Sequence, residues 1–174
     1  MFLPDHEIAA LGDELVQPFY PDCVEPASLD LHLSNEMCVP DVQKVAFIDL
    51  DKPVDLMRQL IIDGDGYVLH PGDFILGLTE EYVTLPDNIV GKIEGKSSLG
   101  RLGLMVHVTA GFIDPGFKGC ITLEMKNLLQ VPIVLRPGKK ICQIAFAYLN
   151  SPAKKPYHGR YQDSRGVVAS RYGK

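Results

Sequence analysis

The apolar residues of this chain come in short alternating runs, and turn residues separate the runs. "SLDLHLS" sets Leu29, Leu31 and Leu33 against Asp30, His32 and Ser34. A period of two puts the leucines on one face of an extended strand and the polar residues on the other. "GYVLHPGDFILGLTEEYVTLPDNIVGKIEG", "CITLEMKNL" and "VPIVLRPGKKICQIAFAYL" continue the series, with breaks at "HPGD" and "LPDN". Proline fixes φ there, and Gly, Asp and Asn favour turns. Short strands punctuated in this way predict a barrel or jelly roll. Two helical pieces interrupt the pattern. "LPDHEIAAL" reads as a short N-terminal helix capped by Asp5, with Ile8 and Leu11 on one face. "SSLGRLGL" reads as one helical turn with a serine cap and a Leu99/Leu102 pair.

With 174 residues, the chain fits one domain with its own core. We assign residues 1–150 to a β domain. Residues 151–174, polar and basic, are expected to form a mobile tail that orders only when it holds a ligand. Lys and Arg number 17 against 22 Asp and Glu, a net charge of −5. That argues against a nucleic-acid binder, whose affinity comes from neutralising phosphates. A small phosphorylated ligand in a locally basic pocket remains compatible. Cys23, Cys38, Cys120 and Cys142 form no C-x-x-C pair and read as reduced thiols. No second His or Cys is spaced to share a metal with His107, which reads as a packed or subunit-facing histidine. No segment reaches the roughly 18 apolar residues of a membrane span. No signal peptide is evident, so a cytoplasmic protein without membrane contact is expected.

The chemistry concentrates in the middle. "EGKSSLGR" offers the cations Lys96 and Arg101, the hydroxyls of Ser97 and Ser98, and glycines at 95 and 100. Charged donors, hydroxyls and helix-start amides suit phosphate oxygens, and they equally suit a solvated turn. In "FIDPGFKG", Asp114 precedes a Pro-Gly turn, either as a turn cap or as a carboxylate for a sugar hydroxyl or a water. In "CITLEMK", Ile121, Leu123 and Met125 share one face, and Thr122, Glu124 and Lys126 share the other. An unpaired buried carboxylate costs several kcal/mol. Glu124 therefore faces solvent, or it is a base facing a pocket.

Taken together, "GKSSLGRLGLMVHVTAGFIDPGFKGCITLEMKN" closely resembles the central signature of the dCTP deaminase family, within the trimeric dUTPase superfamily. "VEPASLDLHLS", "VLHPGDFILG", "LRPGKKICQIAF" and "RYQDSRGVVASR" extend the resemblance over nearly the whole chain. It implies a distorted double-stranded β-barrel of the dUTPase-like type, assembled as a homotrimer with active sites between subunits. Glu124 matches the catalytic glutamate, the base for a water attacking cytosine C4. Ser97, Arg101 and the Ala110 backbone match positions that hold that water and the tetrahedral intermediate. Lys96, Ser97, Ser98, Leu99, Gly100 and Arg101 match the triphosphate-binding run. Asp114 matches the residue that meets the deoxyribose, and Thr122, Leu123 and Glu124 line the base. Tyr157, Arg160 and Ser164 fall in the tail that closes over the nucleotide.

The resemblance implies magnesium carried by the triphosphate, no zinc, and dTTP as a possible inhibitor. The zinc deaminase signature of H-x-E with P-C-x-x-C is missing from the sequence. Gly111-Phe112 after "TA" and Gln143 lean towards the members that also cleave dUTP and form dUMP, rather than those that stop at dUTP. A small apolar pair would leave room for a second water near Asp114. The sequence departs from the family pattern at Arg160, where Lys is expected, and at Ser164, where Gln is expected. A dUTPase without deaminase activity and a non-catalytic nucleotide-binding regulator are the rivals.

Overall fold

We describe residues 1–172 of a computed structural model of the chain. It is mainly β, with a curled sheet and a short N-terminal helix, α1 (Asp5–Leu11). The strands are β1 (Val16–Gln17), β2 (Val24–Glu25), β3 (Ser28–Pro40), β4 (Met57–Ile61), β5 (Tyr67–Leu69) and β6 (Phe74–Thr84). They continue with β7 (Ile89–Gly95), β8 (Leu104–Met105), β9 (Phe112–Ile113), β10 (Lys118–Asn127), β11 (Ile133–Leu135) and β12 (Lys140–Tyr148). A one-turn helix, α2 (Ser97–Gly100), follows β7. Ten strands form one sheet in the order β8-β10-β6-β3-β12-β7-β9, with β1 added on β6 and β2 and β4 on β3. β5 and β11 pair separately.

The long strand β3 makes the sheet curl. Residues 29–32 pair with β12, whereas Leu33 onward pairs with β6 and Glu36 onward also pairs with β4. A register shift between Leu33 and Met37 marks the change of partner. Such a bulge bends the strand and raises its twist. One strand thereby serves two halves of the sheet and closes them around a common core. Leu29, Leu31 and Leu33 fill that core with Leu123 and Met125 of β10, Ile93 of β7, and Ile144 and Phe146 of β12. The alternation read in the sequence is the alternation of this inner face. A smaller apolar cluster lies apart, made by Cys38, Leu76, Leu78, Cys120 and Val167.

Three local expectations are corrected. The N-cap of α1 is Pro4, not Asp5, and no side chain caps it. Asp5 instead accepts the His6 amide at 2.8 Å, one residue along. The N-cap of α2 is Lys96 rather than a serine, and Leu99 packs on the core while Leu102 is exposed. The tail is docked in the described part of 151–174; residues 173 and 174 lie outside the described residues. Ser164 bridges Gly119 in parallel, Cys120 N–H donates to the Ser164 carbonyl at 2.8 Å, and Val167 is buried. The tail's apolar content is small, but β10 supplies the unpaired backbone edge and the apolar strip that it needs.

Candidate functional site

Glu124 lies on β10 between the core residues Leu123 and Met125, so its side chain leaves the opposite face of the strand. It is half-buried. Its Oε2 accepts the backbone N–H groups of Val108 (3.1 Å) and Thr109 (3.2 Å). Two amides offset the cost of bringing the carboxylate out of bulk water. Within the chain this work is done by the 106–110 loop. Glu124 opens onto a cavity of about 800 Å³. Ala110, Phe112, Asp114, Phe117, Thr122, Tyr157 and Ser164 also line it.

The turn after β9 builds the next wall. Phe117 N–H closes on the Asp114 carbonyl at 3.2 Å, with Pro115 and Gly116 between them. Gly116 has φ +85°, the conformation this turn demands of its third residue. A Cβ there would come within 2.6 Å of Pro156, so the same glycine lets the tail approach. The tail grips this turn. Tyr157 N–H donates to the Pro115 carbonyl at 2.7 Å, and Gln162 Nε2 donates to the Gly116 carbonyl at 2.9 Å. The Tyr157 ring stands edge-on to Phe117 at 5.7 Å. Val168 N–H reaches Thr122 Oγ1 at 3.3 Å, directly beside Glu124.

Tyr82, on β6, holds the tail from the other side. Its hydroxyl donates to Asp163 at 3.0 Å, and the Arg165 guanidinium lies 4.6 Å over its ring. Burial pushes the Tyr82 hydroxyl up, as does its bond to Asp163.

The second group of candidates stands elsewhere. Ser97, Ser98, Gly100 and Arg101 are exposed on α2 and its C-cap, and none of them lines the cavity. Among the described residues their side chains make no hydrogen bond or ion pair. Behind them the turn is tied down. Lys96 Nζ pairs with Asp30 of β3, whose side chain is 2% exposed. Gln143 of β12 accepts the Ser28 hydroxyl at 2.8 Å and donates to the Gly95 carbonyl at 3.1 Å. The expected set therefore falls into two halves within one chain: a pocket around Glu124 and a projecting turn at 96–101.

Three further expectations change. Leu123 is 1% exposed in the core, so its side chain does not line the base pocket. Arg160 points along the tail and exchanges donor bonds with Arg171: each guanidinium meets the other's carbonyl. Gly111 has a packing role of its own, because a Cβ would lie 2.8 Å from the Ile93 carbonyl oxygen, and Ile93 N–H donates to the Gly111 carbonyl at 2.7 Å. Phe112 beside it is exposed and lines the cavity. His107 is half-buried with Nδ1 unpartnered and Nε2 3.8 Å from Glu94. Lys92 holds the Glu94 carboxyl below the ordinary range.

Sequence reasoning missed the wall formed by residues 48–56, including Ile48, Leu50 and Leu56. It also missed Glu81, which is buried on β6 and takes the His32 backbone N–H (2.9 Å) and ring Nδ1 (2.6 Å). Burial pushes the Glu81 carboxyl up, and His32 opposes that shift. The apolar run within 41–56 was a signal for the wall, but it lacks a period. Nothing local marked Glu81.

A dCTP deaminase-like family model matches residues 2–149. The chain belongs to the dCTP deaminase-like family. Among its relatives is a dCTP deaminase, dUMP-forming, of Clavibacter michiganensis, 46% identical over 98% of this chain and 90% of that protein. One of the same name from Beutenbergia cavernae is 48% identical over 98% of this chain and 94% of that protein. The solved 2'-deoxycytidine 5'-triphosphate deaminase of Agrobacterium tumefaciens superposes with a TM-score of 0.66 at 26% identity. That match covers 83% of this chain and 46% of the longer solved one. Membership of the family agrees with the fold described above. No helix among the described residues is long and apolar enough to cross a membrane.

Proposed function

We propose that the chain deaminates dCTP and then releases diphosphate to give dUMP. The observation that carries this reading is the setting of Glu124: one carboxylate oxygen is anchored by two backbone amides, on the wall of a nucleotide-sized cavity. A base held in this way has a fixed aim. Glu124 takes a proton from a water that attacks C4 of cytosine and passes protons on as ammonia leaves. Ser97, Arg101 and the backbone at Ala110 stabilise the tetrahedral intermediate. Asp114 takes the deoxyribose, and Thr122 lies beside the base. Lys96 to Arg101 face the triphosphate, and Tyr157 and Ser164 close over it. A second water then splits the α–β phosphoanhydride. The relatives' names support both steps.

The division into two halves supports an assembled site, in which the 96–101 turn of one copy meets the Glu124 pocket of another within a homotrimer. Magnesium enters with the triphosphate. The cavity's acidic residues are Asp49, Asp114 and Glu124, and among the described residues no three His, Cys, Asp or Glu side chains gather as a metal cage. Phosphate oxygens and water suit that ion's shell. A site built for deoxyribose and triphosphate also suits dTTP as an inhibitor.

The test is to incubate the pure protein with dCTP and magnesium and separate nucleotides by ion exchange over time. dUMP and diphosphate with little dUTP are expected. Accumulating dUTP would make the protein a deaminase only, and turnover of dUTP but not dCTP would make it a dUTPase. Tight dCTP binding without turnover would make it a regulator.

A further inference from the structure

Asp30 is a buried carboxylate that the proposed chemistry does not use. It sits on β3 between Leu29 and Leu31, all three with at most 2% exposure. A buried charge persists only when it is paired. Its Oδ1 meets Lys96 Nζ, and its Oδ2 lies 3.9 Å from Lys140 Nζ, which also donates to the Asp22 carbonyl at 3.0 Å. Lys96 stands where β7 ends and α2 begins. Its carbonyl accepts the Leu99 and Gly100 amides at 3.0 and 2.9 Å, the first bonds of that turn. The Lys96 backbone thus starts the turn, while its side chain is pinned into the sheet. Gln143 fixes the preceding residue, Gly95, from β12.

α2 has only four residues and no side-chain cap. A helix this short does not hold itself in water. Its orientation has to come from what lies behind it. We propose that Asp30 is a positioning residue for the reaction: acting through Lys96, it aims the turn that presents Ser97, Ser98 and Arg101 to the triphosphate. This rests on the proposed function above. Among the described residues Asp30 makes no hydrogen bond or ion pair with Ser97, Ser98 or Arg101, and Lys96 is the link between them.

The experiment is a double-mutant cycle with two readouts: KM for dCTP, and calorimetric affinity for inorganic tripolyphosphate. Asp30→Asn should weaken both by about tenfold, the scale of coupling between contacting groups. At saturating dCTP, kcat should fall too, because the same turn carries Ser97 and Arg101, which stabilise the intermediate. In a Lys96→Met background the same Asp30→Asn change should add little. In a Lys96→Arg background, which keeps the pair, the Asp30→Asn change should again weaken tripolyphosphate binding relative to Lys96→Arg alone. Three results would overturn the proposal. One is a lowered melting temperature with unchanged KM and tripolyphosphate affinity. Another is tighter tripolyphosphate binding by Asp30→Asn, the sign of a lysine merely released. The third is the same loss in the wild-type and Lys96→Met backgrounds. If Asp30→Asn does not fold, Gln143→Met tests the adjoining tether: weakened tripolyphosphate binding supports aiming from behind, and wild-type affinity refutes it. Wild-type dCTP turnover tests the proposed function separately. If wild type binds tripolyphosphate without turning over dCTP, that reading fails and the cycle is still measurable.

Discussion

The two halves of the candidate site are built in opposite ways from one sheet. Around Glu124 the functional groups are enclosed: amides from 108 and 109, the Asp114 turn and the docked tail surround the carboxylate. On the 96–101 turn Ser97, Ser98 and Arg101 project into solvent. Behind the projecting half lies a buried carboxylate, Asp30, paired with Lys96. The contrast suggests a division of labour. Enclosure fixes the carboxylate proposed as the base. Bracing from the rear leaves serines and an arginine uncommitted in front, free for a ligand or another copy.

The largest expected effect is on the enclosed half. Glu124→Gln should keep the fold, read by circular dichroism, and lower dCTP turnover by ~10²–10⁴-fold, the span of general base catalysis. Retention of turnover within a few-fold of wild type would remove Glu124 from the chemistry. On the projecting half, Arg101→Ala should cost about 10²-fold in kcat/KM, as for a lost transition-state donor. Its melting temperature should match wild type, because the side chain has no hydrogen-bond or ion-pair partner among the described residues. A clear drop in melting temperature would show that this half is structural as well, and the contrast would fail.

Gly111→Ala should destabilise by about 1–3 kcal/mol in denaturant titration, the cost of forcing a methyl into filled space. Phe112→Ala should change stability by roughly 0.5 kcal/mol or less, as for exposed positions. Equal values would mean that the pair acts as a unit, contrary to their placement. The smallest effect is a pH dependence. Burial raises the Glu81 carboxyl, so the folded chain holds that proton more tightly than the unfolded chain does. The group's stabilising contribution is complete below the ordinary carboxylate value of about 4 and is lost as pH climbs through the raised one. Wild type should therefore lose stability relative to Glu81→Gln over that interval. A parallel pair of stability curves would refute this.

The fold was legible because its signal is local. Alternation in "SLDLHLS" and "CITLEMK" and the Pro-Gly turn at 115–116 report on their own neighbourhoods. The same alternation misled at Asp30, which was read as a member of a polar face and is instead sealed at 2% exposure. Its partner is 66 residues away, and that of His32 is 49 away. No window on the sequence contains either pair. The tail was misjudged for a related reason: its composition is that of an unanchored segment, and its anchors, Tyr82, Pro115 and Cys120, all lie elsewhere. For the site, the motif named the candidates, but only the folded chain divides them between a pocket and a turn.

Val167 does more than anchor the tail. It completes the apolar strip that it shares with Leu76, Leu78 and the thiols of Cys38 and Cys120. Both thiols are raised by burial, which keeps them as poorly reactive SH groups. Cutting the chain after residue 150 would uncover this strip, giving a protein that adheres to its own kind and oxidises in air. The last stretch of chain is thus also a preservative, protecting the shelf life of the sheet beneath it.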